Sequence, residues 1–417
     1  MATREWIMTT TTRNEEIEKA LETFVETGKL AGMATLAWRR GRRRVTCVGW
    51  RDREARLPVE SNTIFRIASM TKPITTVAAL MLLEEGRFAL DEPIARRWAP
   101  EFAEMRVLRT LDAALDDTVP AQRSIAFEDL LTHRSGITYG AWHQPSIAAA
   151  FHQALGGDID SDVRPDAWIA ALARLPLIDQ PGAALHYGHS TDLLGLLIAR
   201  MEDASLGEVL ARRIFGPLGM KDTCFTVPRE QRVRRAGTNG FDETGRLMAR
   251  QGGPGGSFMT ERPEDMAYES GGQGLWSTLD DYLAFARMFL GAGAVDGVRL
   301  LRPETLALMT TNHLTESQRA RSKMMGRPIF AAGHGFGMGL AVVLEPEKAQ
   351  PLLCGGGVGA VGWPGGFGGW WQADPNDESV MIFLSHNMVE MDQLANGIGF
   401  GVYEAILQFH ALASALP

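Results

Sequence analysis

The chain has 417 residues, 45% of them hydrophobic, which is enough to bury a large core. Its 50 acidic and 42 basic side chains leave a formal net charge of -8, and that balance lacks the concentrated positive charge of a nucleic-acid surface. Three cysteines, Cys47, Cys224 and Cys354, are far apart and odd in number, so they form no disulfide framework, and no CxxC pair suggests zinc. The first residues, "MATREWIMTTTTRNEEIEKA", carry charges and threonines where a secretory leader needs an apolar run, and no stretch of 18 apolar residues occurs elsewhere. The expectation is a cytoplasmic protein with reduced thiols, no nucleic-acid partner and no membrane insertion.

In chain order, residues 12–28 predict an amphipathic helix with Ile17, Leu21, Phe24 and Val25 on one face. Thr12 and Glu15 suit a capping box, and Gly28 suits the end. "GMATLAW" and "VTCVGW" flank "RRGRRR" at 39–44, which reads as a hairpin with a solvated charged turn. From Thr71 to Glu85 the spacing turns helical, with Val77, Leu80, Met81 and Leu83 for burial and Gly86 as the stop. Pro73 is tolerable only in the first turn of such a helix, which sets Ser69 and Lys72 at its beginning.

Residues 90–260 are mainly short helical segments: "SIAFEDLLTH", "DAWIAALARL", "STDLLGLLIARME" and "SLGEVLARRIFGPLGM". Strand patterns return with "FGMGLAVVL" and "SVMIFLSHN", and "LANGIGFGVYEAILQFHALA" closes the chain as a helix. Strand material at both ends with helices between them predicts an α/β domain formed by 1–85 and 270–417, interrupted by a mainly helical domain at 86–269.

No GxSxG occurs, so the nucleophile elbow of the α/β-hydrolases is absent, and HExxH, a Walker loop and a strand followed by GxGxxG are absent too. Ser69 and Lys72, three apart on a helix, face the same way, so hydroxyl and amine can meet. Serine is a poor nucleophile until a base takes its proton, and burial favours the neutral amine that can do so. The plainer reading is a serine cap beside a snorkelling lysine. Tyr187 in "HYGHS" stands just before a helical run and offers a phenol for proton transfer, or simply a core tyrosine. "GWPGGFGG" at 362–369 offers uncrowded backbone N–H groups for an oxyanion, with Trp363 at its rim. Trp370 and Trp371 read as packing residues, while Tyr139, Trp142 and Phe151 line either an acyl pocket or the core.

Taken together, these residues resemble the serine β-lactamase and penicillin-binding-protein superfamily, and within it the family VIII carboxylesterases. "SMTK" at 69–72 matches the nucleophile motif, "YGH" at 187–189 stands in place of Tyr-x-Asn, and "WPG" at 363–365 in place of Lys-Thr-Gly. "LLTHRSGI", "FGPLGMKDTCF" and "GGQGLWSTLDDYLAFARMFLGAG" match as supporting blocks. The resemblance implies an antiparallel sheet flanked by helices with a mainly helical insertion. It also implies a serine esterase that acts on small uncharged, short-chain esters through an acyl-enzyme, with no cofactor and no metal.

By that resemblance Ser69 is the nucleophile, Lys72 and Tyr187 share acid/base work, and the N–H groups of Ser69 and Gly366 form the oxyanion hole. His189, Trp363 and Gly365 would border the substrate, with Tyr139, Trp142 and Phe151 beyond them. His189 in place of asparagine puts amide recognition in doubt, and Trp363 in place of lysine favours neutral esters over anionic lactams. The alternatives are a β-lactam or D-amino-acid amide hydrolase, an acyltransferase, or a binding protein that keeps the fold without the chemistry.

Overall fold

The structure, a computed structural model, describes residues 2–250, 252, 259, 262–324, 327–330, 333–390, 393, 394 and 396–416. The first helix, α1, spans Ala2–Glu26 and ends where Gly28 adopts a φ of 70°. It therefore starts ten residues earlier than the capping signal implied, and Thr12 lies inside the helix instead of at its start. Adding a residue to a formed helix gains a hydrogen bond at little cost, so a cap-like residue need not stop it. The side chains of residues 2–13 lie outside the described set, and with them the expected capping box.

Strands β1 (Gly32–Arg39) and β2 (Arg42–Asp52) form the expected hairpin, with Arg39 opposite Arg42 and a turn at Arg40 and Gly41, both at positive φ. Ion pairs hold the charged end, Arg39 with Asp377 at 2.7 Å and Arg43 with Asp280 at 2.5 Å. After the short β3 (Leu57–Pro58) the chain enters α2 (Thr71–Glu84). The middle of the chain supplies α3 (Pro145–Leu155), α4 (Pro165–Ala173) and α5 (Ser190–Glu202), and α6 (Leu279–Ala286) follows.

The "FGMGLAVVL" stretch is not one strand but the hairpin of β4 (His334–Phe336) and β5 (Ala341–Val343). Its turn is made by glycines: Gly339 has a φ of 73°, and a Cβ there would lie 2.3 Å from Thr76 of α2. Strands β6 (Val361–Gly362), β7 (Trp370–Asp374) and β8 (Ser379–Ser385) precede the last helix, α7 (Gly401–Ser414). The eight strands form one antiparallel sheet in the order β4-β5-β6-β7-β8-β1-β2-β3.

Period-two alternation assigns the two faces. Met381 and Phe383 of β8, with Met33, Val48 and Trp370, pack under α1 and α7, where Ile17, Leu21, Ile406 and Phe409 are buried. Val380, Ile382 and Leu384 point the other way, with Ala34, Leu36 and Trp371, into a larger core. That core runs without a break through Ile74, Val77 and Leu80 of α2 to Leu130, Trp168 and Leu197 of the helical middle. Each of these fully buried aliphatic side chains contributes about 1.5–3 kcal/mol. Helix α2 lies inside this core and is buried on nearly every side, so its first turn, with Lys72, is out of water.

Among the described residues no helix is long and apolar enough to cross a membrane. The three thiols are free, and burial raises Cys47 to about 11 and Cys224 to about 12 and pushes the fully buried Cys354 up as well, which leaves them unreactive near neutral pH.

Candidate active site

The start of α2 is held from several sides. The Ile67 N–H donates to the Leu275 carbonyl at 3.0 Å, and the Tyr282 hydroxyl donates to the Met70 carbonyl at 3.0 Å. Leu275 N–H in turn reaches the Thr71 hydroxyl at 3.2 Å. Between these anchors Ala68 takes a φ of 44°, a left-handed conformation that costs an L-residue roughly 1 kcal/mol and more. The tight turn Ala68–Met70 then passes Ser69 into the helix, 8% exposed, while Lys72 is fully buried. Nothing in the sequence signals the strain at Ala68.

The Lys72 Nζ has three polar neighbours: Ser69 Oγ at 3.3 Å, Tyr139 Oη at 3.1 Å and the Gly272 carbonyl at 2.9 Å. A carbonyl can only accept, so one amine N–H is committed to Gly272. When a second is donated to Tyr139, a neutral amine has one lone pair left, and it faces the Ser69 hydroxyl. Burial supplies that neutral form. It lowers the Lys72 pKa from 10.5 to about 7, against the opposing charge of Asp192. Tyr139, read as a pocket residue, thus touches the amine directly.

Tyr187 is buried, its ring face 4.4 Å from the Lys72 nitrogen, and burial pushes its phenol well up, so it stays protonated. The Trp363 indole N–H donates to the Tyr187 oxygen at 2.8 Å. Indole cannot accept, so the phenol's own proton is not committed to Trp363. Trp363 is 2% exposed, so the rim position expected of it is corrected: a flat apolar ring packs into the core and aims its one donor at the phenol. His133 sits under the same phenol at 5.0 Å, kept neutral by burial and by the nearby Lys72.

Behind the amine lies a polar layer that sequence reasoning did not find. Asp192 of α5, fully buried, accepts the Gly272 N–H at 2.9 Å and the Ser270 hydroxyl on one oxygen, and His189 Nδ1–H at 3.0 Å on the other. Burial would raise its pKa, but His189 and Lys72 outweigh burial and hold the carboxyl low. An acid in the first turn of a helix looks like ordinary dipole compensation, so its sequence signal was weak.

His189 is fully buried, its ring 4.5 Å from Tyr139 and 5.5 Å from Trp168. Phe151 stands behind it at 6.3 Å, and Trp142, half-buried, stacks on Tyr187 at 5.4 Å. Gly365 presses on the chain just before Ser69: a Cβ there would lie 2.4 Å from the Ile67 carbonyl. Gly366 follows at an exposed turn where an added Cβ would meet nothing within 4 Å. Trp370 and Trp371 are fully buried, as packing residues should be.

A buried amine hydrogen-bonded to a serine at the start of a helix, in a core shared with an antiparallel sheet, is a geometry in keeping with a serine-hydrolase-type enzyme. The Beta-lactamase family model matches residues 17–398. Protein Rv1367c of Mycobacterium tuberculosis is 43% identical over 368 residues, 88% of each chain. Esterase EstB of Burkholderia gladioli is 30% identical over 356 residues, 82% of each chain. Among solved structures, EstCE1, described as a hydrolase with promiscuous acyltransferase activity, superimposes with a TM-score of 0.75 at 23% identity, covering 95% of this chain and 99% of that one. The chain belongs to the β-lactamase family, and it is a serine-hydrolase-type enzyme akin to the family's esterases and acyltransferases.

Proposed function

We propose that the protein hydrolyses short-chain carboxylic esters through an acyl-enzyme on Ser69. The observation that carries this reading is the Lys72 amine, desolvated and hydrogen-bonded so that its lone pair faces the Ser69 hydroxyl. In the proposed step Lys72 takes the Ser69 proton as Oγ attacks the ester carbonyl, and the N–H groups of Ser69 and Gly366 receive the oxyanion. The tetrahedral adduct expels the alkoxide, which leaves as an alcohol after protonation through the Tyr187 hydroxyl, resupplied by Lys72. Water then repeats the sequence on the acyl-enzyme and releases the acid. With tryptophan at 363, no lysine stands there to hold a substrate carboxylate, which supports neutral esters over anionic lactams. Free, unreactive thiols support a cytoplasmic setting.

The test is a panel of p-nitrophenyl esters, a chromogenic cephalosporin and a D-amino-acid amide, with intact mass recorded after acid quench. The expected result is ester turnover with an acyl mass on the peptide carrying "IASMTK". Added alcohol in the same assay measures transfer to acceptors other than water. Turnover of the amide or lactam alone, or labelling elsewhere, would sink the proposal.

Tyr187→Phe keeps the ring and removes the hydroxyl, so turnover should fall about 10²–10⁴-fold with the melting temperature nearly unchanged. Trp363→Phe keeps the packing and removes the donor 2.8 Å from that hydroxyl. Its loss should be smaller, roughly tenfold or less, since one hydrogen bond is worth about 0.5–1.5 kcal/mol. If Trp363→Phe lost as much as Tyr187→Phe, the indole would be acting on something other than the phenol.

A further inference from the structure

The polar layer behind Lys72 is more elaborate than a buried lysine requires. Three elements converge on it. The turn 270–272 is fastened to α2 by the Thr75 hydroxyl, which donates to the Gly271 carbonyl at 2.7 Å. The Gly272 peptide then bridges two charged groups, its N–H on Asp192 at 2.9 Å and its carbonyl on Lys72 at 2.9 Å. A Cβ at Gly272 would come within 2.9 Å of both Asp192 oxygens, so the peptide lies flat against the carboxylate. Asp192 thereby decides where the Gly272 carbonyl points, and the carbonyl fixes the amine.

A bare carboxylate so close would also favour the ammonium form of Lys72, which has no lone pair for Ser69. The group that opposes this is His189. Its Nδ1 donates to Asp192 at 3.0 Å, and its Nε2 stands 3.4 Å from Asp158 Oδ1, an ion-pair contact at the end of a fully buried ring. The other titratable groups facing this layer carry no charge: His133 is held neutral and the phenols of Tyr139, Tyr187 and Tyr268 protonated, each mainly by burial. Lys72, Asp192, His189 and Asp158 are left to set the local field.

We propose that His189 is a positioning residue for Lys72: as an imidazolium between Asp158 and Asp192 it clamps Asp192 onto the Gly272 peptide that aims the amine, and it balances the carboxylate charge that would keep the amine protonated. Burial alone would discharge the ring, but Asp158 and Asp192 outweigh it and raise His189 to about 9, so the clamp is charged where the enzyme works. The inference rests on the Ser69–Lys72 reading of the site.

The test compares pH profiles of single-turnover acylation by a p-nitrophenyl ester. In His189→Asn a side-chain N–H can still reach Asp192 but the positive charge is gone. The rise in acylation with pH should move up by about one unit, so the rate at neutral pH falls roughly fivefold and is recovered in alkali. Asp192→Asn should move the rise the opposite way. A merely structural role would lower both rates without moving either limb, and an unmoved limb in a folded His189→Asn variant overturns the proposal.

Nitrogen NMR of the wild type with ¹⁵N-labelled histidine gives a reading that does not depend on how a variant folds. His189 should carry protons on both nitrogens at pH 7.5, and a neutral ring there also overturns the proposal. An acyl-enzyme that forms while the limb stays put would sink this inference alone. Turnover without any acyl mass on Ser69 would sink the reading on which it rests.

Discussion

Ser69→Ala is expected to remove ester turnover by at least about 10³-fold and to abolish the acyl mass, since among the described residues no second aliphatic hydroxyl stands at the amine. Within the described residues Lys72 contacts one aliphatic hydroxyl, that of Ser69, and its other partners are a phenol and a carbonyl. The fold should be unaffected, because Ser69 Oγ bears no backbone anchor of α2; those are made by Ile67, Met70 and Thr71. Circular dichroism and the melting temperature check the fold, and intact mass checks the chemistry. A folded Ser69→Ala retaining more than a few per cent of turnover would refute the assignment.

Lys72→Met should be nearly as damaging, by about 10²–10⁴-fold in acylation, because it replaces the base with an apolar chain of similar length. In the wild type the acylation rate should rise with pH through about 7, the value to which burial brings Lys72. Lys72→Met should lose that rise as well as the rate. Stability should move the other way. Between about 7 and 10.5 the unfolded chain binds more protons at this lysine than the folded one, so the penalty that Lys72 imposes on folding shrinks as pH rises. The variant should therefore melt higher than the wild type, by a wider margin at pH 6 than at pH 9. A margin that is absent, or that widens with pH, would mean that Lys72 is not buried as an amine.

The two variants separate what is local in this site from what is assembled. Ser69 and Lys72 are three residues apart across the tight turn that opens α2, and that spacing brings both to one side whatever surrounds them. That pair was legible in the sequence, as were the arginine hairpin and the helix at 190–202; the closing helix, expected over 394–413, begins only at Gly401. Tyr187 and Trp363 were legible singly, as a phenol before a helical run and an indole beside the glycines. Their meeting across 176 residues, indole N–H on phenol oxygen, was not, and the residue expected at an open rim proved to be buried.

Tyr139 shows the limit most directly. Its aromatic character suggested an apolar wall, yet its hydroxyl reaches a lysine 67 residues earlier in the chain. Which end of an amphipathic ring matters depends on what it is packed against, and periodicity carries no record of that.

By itself the sequence determined that Ser69 and Lys72 meet within one turn, because a three-residue spacing at the start of a helix is a local property of the backbone. It also determined the two-faced strands, because side-chain alternation follows from the pleat. Only the tertiary structure decided that the base is held ready. The Gly272 carbonyl that orients Lys72 lies 200 residues away, and Asp192 sits on a different helix with His189 just before its start. A backbone carbonyl has no side chain to betray its use, and the loss of water that makes the amine a base depends on the α2 environment as a whole. Both become visible only when the chain has brought those distant segments together and excluded solvent from the space between them.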